Sequence, residues 1–311
     1  MGCSKYGFLG GVDIGGTKTR VGVVSLSGEV LISRTEPVVR QSASDLVRQV
    51  IVMLRDCEKE LGCDPVSGIG VAVPAVVDRC TRVVEFAPNL ACLNGYPLEH
   101  AIAHETKTRT VTAFDGFASA LGESWCGSGR FVQNMAFIIV GTGVGGGMVL
   151  NGKGIPGADG IAGCIGWTLV PDPDTGSPIH LESVCSGPGI AGRANRLKEK
   201  VADKTLWTAK EVFEAAKSGH EVARQVIDDA VHVFGMGIAN LVSVINPEVV
   251  VLGGGVGLSL GSYIGALSGY VSEHAQPVAG RTVRIRLSSL GDDFGVIGAA
   301  RLVHPDCMTI L

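Results

Sequence analysis

The chain has 311 residues, 46% hydrophobic and 18% charged, with 45 glycines and a net charge of −4 at pH 7. That length suits about two domains; the apolar content excludes disorder, and the absence of a Gly-X-Y period excludes collagen. No Lys/Arg block is visible, so nucleic acid is not expected as a partner, and nine scattered cysteines without a CxxC pair suit a reduced, cytoplasmic protein.

The opening MGCSKY superficially resembles a lipidation signal, but Tyr6 stands where that signal needs Ser or Thr. Phe8 to Ile14 is an apolar run expected as a buried strand. Arg20 to Ser25 and Glu29 to Ser33 follow as strands joined at Ser27-Gly28. Ser44 to Leu61 places Leu46, Val47, Val50, Ile51 and Leu54 at helical spacing, with Gly62 as the stop. Ile69 to Val73 is a strand ended by Pro74, and Thr110 to Thr112 a short strand feeding a helix from Asp115 to Ser124.

Asn134 to Val140 and Gly147 to Leu150 are predicted strands, with Asn151-Gly152 marking a hairpin. Helices are expected over Gly187 to Val201, after the Thr208-x-x-Glu211 capping box, and over His220 to Ile245. Val249 to Leu252 reads as a strand, Leu258 to His274 as a helix, Thr282 to Leu287 as a strand and Gly295 to Val303 as a closing helix. The uncharged stretch Val249 to Val271 is long enough to span a bilayer, but its glycines and the preceding Asn246-Pro247 favour strand, turn and helix over a membrane segment. The whole reads as α/β, two similar halves that each start with an antiparallel pair.

Two stretches break a buried strand with glycine and then resume it: "FLGGVDIGGTKTRVGVV" from Phe8 and "FIIVGTGVGGGMVL" from Phe137. Consecutive backbone amides turned inward at such a turn form a nest for phosphate. Either turn alone is more simply an ordinary β-turn; two in matching positions of two halves point to phosphate binding. Gly141, Gly143 and Gly146 match the dinucleotide fingerprint by letter, but a strand and hairpin follow where that fingerprint needs a helix. A P-loop over Gly147 to Gly154 fails because Gly154 stands where Ser or Thr must hold magnesium.

"VDIGGTKTRVGVV", "GIGVAVPAVVD", "FDGFASALGE", "GTGVGGGMVLNGKGIPGADGIAG", "LESVCSGPGIAGRA", "NPEVVVLGGGVG" and "GVIGAARL" occur in one order between about Gly7 and Val303. Together they resemble the ROK family of repressors, open reading frames and sugar kinases. The resemblance implies a two-domain actin-like ATPase (ribonuclease H-like) fold with a cleft between the domains. The small N-terminal domain would comprise 1-113 plus about 296-311, and the large one 114-295. It further implies a homodimer and ATP-dependent phosphorylation of a hexose-type sugar, with ATP and Mg2+ as cofactors.

By that resemblance Gly15, Gly16, Thr17 and Lys18 form the first phosphate hairpin, and Gly141, Thr142 and Gly143 the second. Gly253, Gly254 and Gly255 would face the adenosine, while also making a strand-to-helix turn. Asp13 would orient hydrated magnesium; by itself it reads equally as a turn-forming Asp. Asp115 would be the general base, and the helix dipole is expected to keep it ionised there; on residue type alone it is an N-cap carboxylate. Glu182 and Asn89 would contact the sugar, although Glu182 also suits a plain helix start. Ala75 replaces a common family Gly near the sugar.

The chain departs from the family where sugar is read. Phe114 stands for an Asn before the base, and "GCIGW" replaces "GEIGH", putting Cys164 and Trp167 at two sugar-binding positions. The family's zinc-binding cysteine loop is replaced by "PDPDTGSPIH"; Cys164, His180 and Cys185 are too scattered for a four-ligand site, so no zinc is expected. Phe114, Cys164 and Trp167 either fill the pocket or suit a less polar sugar stacked on an aromatic face. The expected acceptor is therefore an amino or deoxy hexose or related polyol other than glucose. Polyphosphate remains a second donor, and a catalytically silent sugar sensor the alternative function. Only twelve residues precede Asp13, too few for a repressor's DNA-binding domain.

Overall fold

The structure, a computed structural model, describes residues 7–199 and 206–307, Glu199 by its backbone alone. The lipidation pattern at residues 1–6 and the expected helix end at Val201 lie outside the described residues. The chain divides into two compact units. One holds Met1–Phe131, Gly147–Ala162 and Ser289–Leu311; the other holds Val132–Gly146 and Gly163–Ser288.

The chain opens with β1 (Leu9–Ile14), β2 (Lys18–Val24) and β3 (Val30–Pro37) as an antiparallel meander. Helix α1 (Ala43–Leu61) follows, its first turn capped by the Ser42 hydroxyl, which accepts the Asp45 amide at 3.1 Å. Gly62 at φ 65° closes it, the left-handed cap that glycine adopts without strain. Leu46, Val50, Met53, Leu54 and Cys57 are buried on one face of α1, in one core with Val12, Ile14, Val21 and Val23. Next come β4 (Gly68–Val73), the short pair β5 (Val76–Val77) and β6 (Val84–Phe86), α2 (Leu98–Thr106), β7 (Thr110–Phe114) and α3 (Asp115–Trp125). The sheet order is β3-β2-β1-β4-β7, with β1, β4 and β7 parallel. β4 is buried at every position, as expected of a strand covered on both faces.

β8 (Met135–Val140) and β9 (Val144–Leu150) flank the second glycine turn; β9 begins three residues before the expected strand, because its glycines themselves pair. β10 (Lys153–Gly154), β11 (Leu169–Pro171), β12 (Pro178–His180), α4 (Leu181–Cys185), α5 (Gly187–Glu199), α6 (Ala209–Lys217) and α7 (Glu221–Ile245) follow. The capping box at Thr208 forms in full, with Glu211 bonded back to the Thr208 amide. α7 is long and apolar enough to cross a bilayer by length and composition, but most of it is buried as in a core helix.

β13 (Val249–Gly253) then turns into α8 (Gly254–Ser259), and α9 (Ile264–His274) follows after a 3-10 turn at Leu260–Tyr263. The helix expected over Leu258 to His274 is thus broken, and the start of the last expected strand is instead helical, α10 (Pro277–Thr282), before β14 (Arg284–Leu287). Pro277 sits at the first turn of α10, where its missing amide costs nothing. The second sheet runs β10-β9-β8-β13-β14, with β8, β13 and β14 parallel.

Helix α11 (Phe294–Arg301) closes the fold by lying on the first sheet. Gly22, Gly11 and Gly70 stand side by side in register across β2, β1 and β4. A Cβ on Gly11 would overlap the Val296 carbonyl, and one on Gly70 the Ala299 carbonyl. Only a floor without side chains lets the α11 backbone come this close.

Candidate active site

In the first unit the candidate residues gather at the carboxyl ends of the parallel strands, where open α/β sheets hold ligands. Register sets Asp13 of β1 beside Ala72 of β4, and Ala72 beside Ala113 of β7; Phe114 and Asp115 follow directly. The turn after β1 is closed by the Gly15 amide donating to the Lys18 carbonyl at 2.8 Å, leaving Thr17 and Lys18 exposed. Asn89 packs on this turn: a Cβ on Gly16 would meet its side chain at 3.6 Å. Ala75 is buried just beyond β4, its amide bonded to the Val73 carbonyl at 2.8 Å.

Asp13 and Asp115 are both half-buried. Burial, then the Asp115 charge, pushes the Asp13 carboxyl up to about 7, against the lowering pull of Lys18 and Arg20. Burial pushes Asp115 up to about 6, opposed by the Gly116 amide, which donates to its Oδ1 at 2.7 Å. Desolvation outweighs the helix start in setting its pKa, yet at about 6 Asp115 is ionised at neutral pH, as expected. Phe114, not Asp115, occupies the cap position.

Three residues missed in the sequence frame Asp13. A Cβ on Gly295 at the start of α11 would overlap its Oδ2. Arg20, opposite Asp13 in the β1–β2 register, donates to Asp293 at 2.6 Å and to Ser33 at 3.1 Å. No local spacing signals this, since Arg20 and Asp293 lie near opposite ends of the chain. Two carboxyls raised by burial, Asp13 also by the Asp115 charge, suit a divalent cation, and carboxylate oxygen is the donor Mg2+ takes. Phe114, with Val77, Phe117 and Pro156, lines a cavity of only about 30 Å³, roughly room for one water.

In the second unit, Gly141, Thr142 and Gly143 form a tight turn closed by the Gly141 amide on the Gly143 carbonyl at 2.9 Å. Gly141 and Thr142 line a cavity of about 620 Å³ with Pro188, Thr208, Phe213 and Gly255, a size suited to a nucleoside. The expected adenosine triplet divides by role. Gly253 makes room for the Phe137 ring and Gly254 takes φ 79°, whereas Gly255 opens on the cavity. Glu182 accepts the Val144 amide at 2.7 Å, so it lies against the Gly141–Gly143 turn.

Cys164 precedes a 3-10 turn that carries Trp167, whose ring is 61% exposed and lies 5.1 Å from the His180 ring. Trp167 leads into the β11–β12 hairpin. The loop between those strands is fastened by a charge triad absent from the sequence reading. Buried Arg193 donates to Asp174 at 2.8 Å and to Asp229 of α7 at 2.7 Å. Cys185 points away, its thiol on the Ala230 carbonyl and pushed upward by burial. Among the described residues no group of three or more His, Cys, Asp or Glu is placed to hold a metal ion.

Comparison with known proteins bears on family and fold. The profile of the ROK family matches residues 9–306. A glucokinase of Halalkalibacterium halodurans is 34% identical, covering 94% of each chain. An N-acetylmannosamine kinase of Escherichia coli O157:H7 is 30% identical over 94% of this chain and 97% of its own. The structure of a ROK family glucokinase from Streptomyces griseus in complex with glucose and AMPPNP superposes with a TM-score of 0.79 at 28% identity, covering 95% of this chain and 99% of that one. The chain belongs to the ROK family and has the actin-like ATPase fold of its sugar kinases.

Proposed function

We propose that this sugar kinase transfers the γ-phosphate of ATP to a hydroxyl of an amino or deoxy hexose, or a related polyol, rather than of glucose. The observation that carries the transfer is Asp115: a half-buried carboxyl at a strand end, raised to about 6, still ionised at neutral pH and basic enough to take a hydroxyl proton. Phosphoryl transfer needs little else from the protein than position and charge neutralisation. The glycine turns at Gly15–Lys18 and Gly141–Gly143 offer amides to the phosphates, and the cavity beside Gly255 takes the nucleoside. Mg2+, when bound, supplies the charge that neutralises the β- and γ-phosphates; Asp13 is the residue that would hold it, through water.

The choice of acceptor is supported by Phe114 and Trp167. Neither gives the hydrogen-bond pattern of an Asn or His, and a site built on such bonds discriminates strongly between hydroxyl patterns. The exposed Trp167 suits the less polar side of a substituted sugar ring, and a kinase of one such sugar, N-acetylmannosamine, is among the relatives alongside glucokinases. ADP release measured over a panel of hexoses, amino hexoses, deoxy hexoses and polyols tests this. The highest kcat/KM is expected for a substituted sugar; glucose as the best acceptor would refute it.

A further inference from the structure

The second phosphate turn is held at both ends by one short segment. At its far end Glu182 Oε2 accepts the Val144 amide at 2.7 Å; at its near end the Gly187 amide donates to the Gly141 carbonyl at 2.8 Å. Residues 182 to 187 thus bracket residues 141 to 144. The fit is close: a Cβ on Gly143 would stand 2.6 Å from Glu182 Oε2. Val144 is 4% exposed, so its amide depends on Glu182 for a partner. Among the described residues Oε1 has no hydrogen bond, leaving it open to a ligand hydroxyl.

We propose that Glu182 is a positioning residue for the donor phosphates, fixing the Gly141–Val144 turn through the Val144 amide, in addition to any contact it makes with sugar. The inference rests on the kinase reading. A buried amide stripped of its acceptor turns to find another, and the turn moves with it. Nucleotide affinity should then depend on Glu182 even when no sugar is present, which a purely sugar-binding Glu would not produce.

Titration of AMPPNP with Mg2+ into the sugar-free protein reads this directly. Glu182→Ala is expected to bind about tenfold more weakly, one charge-assisted hydrogen bond's worth. Glu182→Gln keeps an acceptor oxygen and should stay within about threefold of wild type. Hydrogen exchange at the Val144 amide should quicken by at least about tenfold in Glu182→Ala alone. Wild-type nucleotide affinity in Glu182→Ala, alongside lost sugar binding, would overturn this inference and leave the kinase reading standing. A wild-type protein that binds no AMPPNP would overturn both. Should Glu182→Ala fail to fold, Gly143→Ala displaces the carboxylate from the other side: a similar loss supports the inference, and unchanged affinity overturns it.

Discussion

The Oδ2 oxygen of Asp13 occupies the space that a Cβ on Gly295 would need. Strand β1 and helix α11 therefore meet at a carboxylate on one side and bare backbone on the other. Gly295→Ala should push the Asp13 carboxyl aside and lower kcat about a hundredfold. The overpacking should also cost about 1–3 kcal/mol of stability. Gly265→Ala, in a helix with open space around the site, is the control: neutral, or stabilising by up to about 1 kcal/mol. Steady-state kinetics and urea midpoints on both variants check the pair.

Asp115→Asn should reduce kcat by about 10²–10⁴-fold while AMPPNP and sugar binding remain. The pH profile gives a second reading. A base raised to about 6 must be deprotonated to act, so kcat is expected to rise with pH through about 6 and to level off above it. A flat profile from pH 5 to 8, or full turnover in Asp115→Asn, would remove Asp115 from the chemistry.

The same carboxyls act against stability. Asp13 is raised above its unfolded value, so its contribution is fully present below about pH 4 and lost as pH rises through about 7. At pH 8 the ligand-free protein carries the cost of ionising Asp13 beside Asp115. Asp13→Asn should then stabilise it by about 1–2 kcal/mol, a figure reduced because the side chain is half-solvated. The gain should vanish near pH 4. Thermal melts of both proteins at pH 4 and pH 8 decide this.

Much of the framework was legible because it rests on local pattern. The glycine turns stand out as strands that stop and resume, and the Thr208 capping box is written within four residues. Helix α2 was missed: its "LEHAIAHET" has few apolar residues and a weak apolar face. The break at Leu260–Tyr263 was hidden in an apolar run that suits continuous helix equally well. At the site, the expectation of a general base at Asp115 came from family resemblance alone, and its raised pKa depends on burial that no spacing reveals. Gly295, Asp293 and Arg193 act through partners far along the chain, and a single sequence carries no mark of such pairings.

The Asp174–Arg193–Asp229 triad fastens the loop between β11 and β12, and it gives a testable cost. Arg193→Met removes the shared donor but leaves two carboxylates that still reach solvent. A loss of about 1–2 kcal/mol is expected, less than for a fully buried pair. Because the loop belongs to the hairpin that Trp167 leads into, the KM for sugar should rise several-fold with little change in the KM for ATP. Equal rises in both would show that the triad steadies the unit generally.

The bare glycine floor beneath α11 also has a bearing on how the protein is made. Gly11 and Gly70 lie far along the chain from the helix that covers them, so this contact joins distant segments. Until it docks, the first strand lacks its lid and Asp13 lacks the surroundings that tune it. The slowest step of folding is expected to be this long-range closure of α11 onto the first sheet.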